Sequence, residues 1–185
     1  MRIRFLSKNV HKIAEAKAIL APLGVEVIPV AIPINELQTS DVTTIVRDKV
    51  LRAFNKIGHR LFVEQTCLYL ESLNGFPGGL TQPFWDALNA DRFCELFGRE
   101  GHCSLKAVTW IGYCDGRQVH HFQGEIRGTV AREPRGDRSF QWDCVFVPDG
   151  HDETFAEMGE RKNEISMRRI ALNHFAKHLR DAGNA

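Results

Sequence analysis

Hydrophobic and polar positions recur along the chain with two periods, and the switches between them lay out an α/β protein. Residues 2–6 (RIRFL) alternate charge and hydrophobe as a short strand and run into Ser7, Lys8 and Asn9. Ile13, Ala16, Ile19 and Leu20 then share one helical face that ends near Pro22. After Gly24, residues 25–32 (VEVIPVAI) predict a second strand, and residues 33–41 a polar connection that contains Glu36. Asp41 is placed to cap a helix over 42–57, in which Val46, Val50, Ala53, Phe54 and Ile57 keep helical spacing, Lys49 sits near the edge of the stripe, and Gly58 ends the helix. Residues 60–64 (RLFVE) predict a third strand that brings Glu64, Gln65 and Thr66 to its C-terminal end, where open α/β sheets place ligands.

In the second half, residues 73–84 (LNGFPGGLTQPF) are dense in Gly and Pro and predict a shaped loop, followed by a helix over 85–97. Residues 105–113 and 118–130 predict a hairpin of long strands around a turn at Asp115 and Gly116. His120 and His121 are neighbours on one strand, face opposite sides, and read as ordinary strand histidines rather than joint metal ligands. An amphipathic helix over 166–179 closes the pattern. With no linker, repeat or low-complexity segment, residues 1–185 are expected to form one domain.

Composition narrows the partners. A formal net charge of +1 gives no global field for a nucleic-acid polymer or a membrane surface, so any anion site must be built locally. Five scattered cysteines without CxxC spacing suit neither a disulfide framework nor zinc, and are expected to be reduced, buried thiols. The start MRIRFLSKN lacks the apolar core of a signal peptide, and no run approaches the roughly 20 residues of a membrane span. A cytoplasmic protein is the expectation.

Two stretches carry candidate chemistry. Around Ser7, Asn9 and Lys12 a strand, a polar turn and a helix start make a phosphate-site geometry, because the first N–H groups of a helix carry partial positive charge. Ser and Asn before a helix also serve as ordinary caps. Residues 134–169 gather Phe140, Trp142, Asp143, Lys162, Ser166 and Arg168. Aromatic faces there can sandwich a flat ligand, each stack contributing roughly 1 to 3 kcal/mol, while acid and guanidinium read its edge. The alternative is that the aromatics belong to the core, and the residues alone leave both readings open.

In this order the pieces resemble the inosine triphosphate pyrophosphatase family, which cleaves deaminated purine nucleoside triphosphates to monophosphate and pyrophosphate. The resemblance covers nearly the whole chain. It rests on SKNVHK at 7–12 for the family's TGNxxK, VEQTCL at 63–68 for VEDTxL, NGFPG at 74–78, PRG at 134–136, FQWD at 140–143 for FGWD, VPDG with TFAEM at 147–158, and KNEISMR at 162–168 for KNxxSHR. It implies an elongated, two-lobed α/β fold around a long, twisted, mixed sheet with a central nucleotide cleft. Phe140 and Trp142 would hold the purine, and Asp143 and Arg168 would read its edge, with Lys162 and Ser166 in the same pocket. Ser7, Asn9, Lys12 and Lys49 would hold phosphates, and Glu36 and Glu64 magnesium. The ligand would be dITP, ITP or XTP, whose 6-oxo acceptor suits a donor on Arg168 where adenine offers an amino group. A homodimer through residues 74–88 is also implied.

The departures fall near the chemistry. Gln65 stands where the family places an aspartate general base, and an amide orients a water but cannot take its proton. Lys8 replaces the glycine of TGN, Gln141 the glycine of FGWD, and Met167 the histidine of SHR. The expectation from these changes is a catalytically impaired nucleotide sensor that relays occupancy to an effector protein, such as an NAD-consuming enzyme in anti-phage defence. The alternative is an active pyrophosphatase in which Glu64, Glu36 or the metal site takes over the base role.

Overall fold

A computed structural model describes residues 1–99 and 103–183. Its seven-stranded mixed sheet gives the expected α/β fold. β1 (Arg2–Leu6) lies between β2 (Glu26–Val30) and β3 (Leu61–Leu70) and runs parallel to both. A short β4 (Pro77–Gly78) pairs antiparallel with the far end of β3 at Leu68 and Tyr69. β5 (Ser104–Cys114), β6 (Val119–Val130) and β7 (Phe146–Pro148) extend the sheet antiparallel, so the predicted hairpin is present.

Strand alternation decides which helix covers which face. Ile3 and Phe5 point into a cluster with Ile19 and Leu20 of α1 (Val10–Leu20) and Phe175 of α6 (Met167–Gly183). Leu6 and Val63 point the other way, onto Val46 and Val50 of α2 (Val42–Ile57). The third cluster gathers Trp85 and Phe93 of α3 (Thr81–Phe97) with Phe146 and Phe155. Phe155 opens α4 (Phe155–Met158), and α5 (Lys162–Ile165) follows.

α2 has the predicted bounds because both ends carry their own stop chemistry. The Asp41 carboxylate accepts the Thr43 N–H at 3.0 Å, and Gly58 takes the left-handed cap at φ 68°. β2 is shorter than 25–32. α3 begins at Thr81 rather than at residue 85, and is interrupted at Asn89 (φ 57°, ψ 179°). The FQWD stretch is neither strand nor loop, but one turn of 3-10 helix over Gln141–Cys144.

The largest correction concerns β3. It was expected to end at Glu64, yet it runs to Leu70, because Cys67, Leu68 and Leu70 continue the buried pattern and β5 pairs with it along its whole length. Glu64 therefore sits in mid-strand. On the opposite edge β1 pairs only as far as Phe62 and β4 only from Leu68, so the edge between them is bare. A cleft lined by Glu64, Gln65 and Thr66 lies at that gap.

One glycine sets the height of α6 above the sheet. A Cβ on Gly124 of β6 would stand 2.0 Å from the Met167 carbonyl oxygen and 2.5 Å from Ala171 N. Without it, the N-terminal turn of α6, which carries Arg168, lies directly on the strand.

Candidate functional site

Beside the bare edge of β3 lies a cleft of about 380 Å³. An edge strand can offer side chains of both faces to one cavity, and here Glu64 and Thr66 reach it from one face and Gln65 from the other. Ser7, Asn9, Lys12, Glu36, Lys49, Phe140, Trp142, Asp143 and Arg168 line the same cleft. Lys162 lines a neighbouring cavity of about 610 Å³ that shares Phe140 and Asp143 with it.

At the start of α1 the polar side chains serve as caps. Asn9 Oδ1 accepts the N–H groups of His11 and Lys12 at 3.0 and 3.1 Å, and Ser7 Oγ accepts the Asn9 N–H at 3.2 Å. Ser166 is 1% exposed, and its hydroxyl oxygen accepts the Arg169 N–H in the first turn of α6. Its local role is that of a cap, because the corner between α5 and α6 leaves that N–H without an intrahelical partner. Trp142 is 4% exposed and packs edge-on against Phe146, so the ring belongs mainly to the core. Phe140 is more open, with Lys162 Nζ 4.2 Å from its centroid and the His11 ring 5.0 Å away.

Behind these rings runs a chain of alternating charge. Asp143 accepts from Lys162, which also pairs with Glu15 at 2.8 Å. Glu15 accepts from Arg168, which donates Nε–H and Nη2–H to Glu64 at 2.8 and 3.1 Å, and Glu64 meets Lys12 at 3.2 Å. Three acids and three bases cancel, which is what burial demands of such groups. Arg168 is 2% exposed, and its guanidinium is committed to two carboxylates rather than turned toward a ligand edge. The sequence reading assigned it to the base because nothing local in KNEISMR shows its partners.

Burial works against charge on Glu64, but Arg168 and Lys12 prevail and hold its carboxyl at about 2. Burial pushes Asp143 up to about 6 against the pull of Lys162. Lys12 is lowered by burial, with Arg168 and Lys49 adding to the effect and Glu64 opposing it. Glu15 was missed by sequence reasoning. The signal was its place between Lys12 and Ile19 on the inward stripe of α1, where an acid must find cations.

At the mouth, Lys49 Nζ meets Glu36 Oε1 at 2.6 Å, so a residue expected on phosphate and one expected on metal hold each other. Among the described residues there is no group of three or more His, Cys, Asp and Glu side chains that could hold a metal. Magnesium is commonly bound by one or two carboxylates with substrate phosphates and water. Both Glu36 and Glu64 line the cleft, but the Glu64 oxygens are already taken by Arg168 and Lys12, which leaves Glu36, paired through one oxygen to Lys49, as the carboxylate that could meet a magnesium ion carried in by substrate phosphates. No helix among the described residues is long and apolar enough to cross a membrane.

A profile of the Ham1 family matches residues 3–178. The dITP/XTP pyrophosphatase of Methanopyrus kandleri is 38% identical over 180 residues, covering 96% of this chain and 95% of that protein. The inosine triphosphate pyrophosphatase of Aspergillus fumigatus is 35% identical over 184 residues, covering 98% and 96%. Among solved structures, the Ham1 protein of Staphylococcus aureus superposes with a TM-score of 0.80 at 22% identity, over 98% of this chain and all 100% of that one. A HAM1 protein from Coxiella burnetii gives a TM-score of 0.80 at 26% identity, over 98% of this chain and 99% of that one. Matched by family profile and by relatives along nearly its whole length, the chain belongs to the Ham1 family.

Proposed function

We propose that the protein is a magnesium-dependent pyrophosphatase that cleaves dITP, ITP or XTP to the monophosphate and pyrophosphate. The observation that carries this reading is the convergence of Lys12, Lys49, Glu36, Glu64 and Gln65 on one cleft that also reaches Phe140 and Asp143. The names of the relatives support the substrate class. They favour turnover over the impaired sensor expected from Gln65.

In this reading the triphosphate enters between Lys12 and Lys49 and displaces Glu36 from Lys49. Gln65 accepts from and orients a water, whose oxygen attacks the α-phosphorus. The bond from that phosphorus to the bridging oxygen breaks, and pyrophosphate leaves. When bound with the substrate, magnesium would supply neutralisation of charge on the phosphoryl oxygens. The proton of the attacking water goes to a carboxylate, and Glu64 is a poor choice, since it sits near 2 with both oxygens held by cations. Glu36, at the mouth and paired only through Oε1 to Lys49, takes that role. The reading includes a homodimer through residues 74–88, where the Phe76 side chain is 43% exposed.

A second reading rests on Gln65, with Lys8, Gln141 and Met167 as further departures: a sensor that binds dITP with magnesium and passes occupancy to an effector such as an NAD-consuming enzyme. Pyrophosphate release under single turnover, with protein in excess over dITP, separates the two. Release of one pyrophosphate per dITP by the wild type, abolished by Glu36→Gln, is the expected result. Tight binding without release, with activity gained on Gln65→Asp, would establish the sensor instead. General-base removal typically costs about 10²- to 10⁴-fold, so the two outcomes lie well apart.

A further inference from the structure

Thr109 of β5 is fully buried, yet it carries a hydroxyl that must find a partner. In the register of β3 and β5 it stands directly opposite Thr66, and the two Oγ1 atoms are 2.8 Å apart. Thr66 and Glu64 are two residues apart on one strand and so share a face, where Thr66 Oγ1 lies 3.1 Å from Glu64 Oε1. Three side chains on two strands thus form a row that leads from the interior of the sheet to the cleft.

Counting protons gives the row a direction. Paired with Arg168 and Lys12, Glu64 is a carboxylate and can only accept. A threonine hydroxyl has one proton, so Thr66 donates it to Glu64 Oε1 and must accept from Thr109. Thr109 therefore fixes Thr66, and Thr66 fixes one oxygen of Glu64.

That same oxygen, Oε1, is the one that meets Lys12 Nζ at 3.2 Å. Lys12 comes from α1, lines the cleft, and has Glu64 as its one acid partner among the described residues. An ammonium has three donors, so two remain for a ligand, and their direction depends on where Oε1 stands. The terminal torsion of a glutamate is soft, and Lys12 would draw the carboxylate with it toward incoming phosphates. Arg168 holds the carboxylate through charge. The hydroxyl pair is its neutral anchor, carried on two strands that pair along the whole of β3.

We propose, on the reading of the cleft as a nucleoside triphosphate site, that Thr109 and Thr66 are positioning residues which hold Lys12 Nζ in place for the phosphates through Glu64 Oε1. Thr109 acts from the buried side of the sheet without touching the ligand. Its effect passes entirely through Thr66.

The test uses the full chain with magnesium and dITP, and measures calorimetric affinity, KM and kcat for pyrophosphate release, and unfolding in urea. Thr109→Val keeps the shape and removes the donor. It should raise Kd and KM about three- to tenfold, the scale of one hydrogen bond, and leave kcat within about twofold. Thr109→Ser, which restores the hydroxyl, should bind within about twofold of the wild type. Thr66→Val should weaken dITP at least as much as Thr109→Val. The double variant should bind no worse than Thr66→Val, and should unfold at higher urea than Thr66→Val, because it no longer leaves the buried Thr109 hydroxyl unpaired. A folded Thr109→Val with wild-type dITP affinity, or a double variant whose loss multiplies those of the two singles, would overturn the positioning role alone. A wild type that binds no dITP would overturn the triphosphate-site reading, and the positioning role with it.

Discussion

Glu64 and Arg168 stand 104 residues apart in the chain, yet their side chains meet through two hydrogen bonds of 2.8 and 3.1 Å in the interior. Each is the other's principal compensation for lost hydration. Removing one partner of a buried pair is strongly destabilising, on the order of 3 to 5 kcal/mol, because the other charge is left alone. Arg168→Ala should therefore lower the unfolding free energy by about that amount in urea. Arg168→Lys should recover only part of it, having no planar fork. Unchanged stability with altered nucleotide preference would return Arg168 to a ligand-reading role.

The acid side of the stability profile should carry two opposite slopes. Asp143 titrates in the folded protein near 6 instead of its ordinary 3.8. Between those values the folded state holds the extra proton, so this contribution is greatest at low pH and declines as pH rises to about 6. Glu64, lowered from 4.5 to about 2, contributes above 4.5 and loses its contribution as pH falls toward 2. Asp143→Asn should gain relative to the wild type as pH rises from 4 to 6, by up to about 3 kcal/mol. A pH-independent difference between the two unfolding curves would contradict the assignment.

Lys49 should act on phosphates and little on the fold. Its own side chain is 12% exposed, but its partner Glu36 is 42% exposed, so water screens the pair and can replace the partner, and such pairs contribute about 0 to 1 kcal/mol. Lys49→Ala should weaken dITP binding about tenfold or more, leave the monophosphate within about twofold, and shift unfolding by less than about 1 kcal/mol. Equal losses for both nucleotides, measured by calorimetry, would place Lys49 away from the terminal phosphates.

Trp142 should behave as a core residue first. Its ring is packed among Phe146 and Phe155, and aromatic-to-Ala changes in such positions cost about 3 to 5 kcal/mol. Trp142→Ala should therefore lose stability on that scale. Phe140→Ala, by contrast, should mainly weaken every purine by the roughly 1 to 3 kcal/mol of a lost stack. If the two variants show the same balance of stability and binding, the division of labour between these rings is wrong.

What could be read in the residues depended on whether the deciding contacts were local. α2 was legible to the residue because Asp41 and Gly58 act within one turn of the ends they set. β3 was cut short because Gln65 and Thr66 look like the end of a strand, whereas its continuation is fixed by β5, many residues later. Phe140 and Asp143 were found by type and Lys49 through the family resemblance, and all three lie on the cleft. Arg168, Glu15 and Lys162 form a circuit spread over α1, α5 and α6, and no single segment contains enough of it to be recognised.

The bare stretch of β3 has a bearing on how this protein can change. Along the cleft β3 presents an edge that neither β1 nor β4 pairs, and its N–H and C=O groups are the same whatever side chain stands beside them. Exchanging an acid for an amide at position 65 alters the reagent while the surface that receives the ligand stays in place. On the cleft side neither β1 nor β4 pairs across that position, while β5 holds the backbone there from the other side whatever side chain it carries. Chemistry at the cleft can thus drift by single substitutions without passing through an unfolded intermediate sequence, and a chain altered at position 65 keeps the architecture through which its activity could be rebuilt.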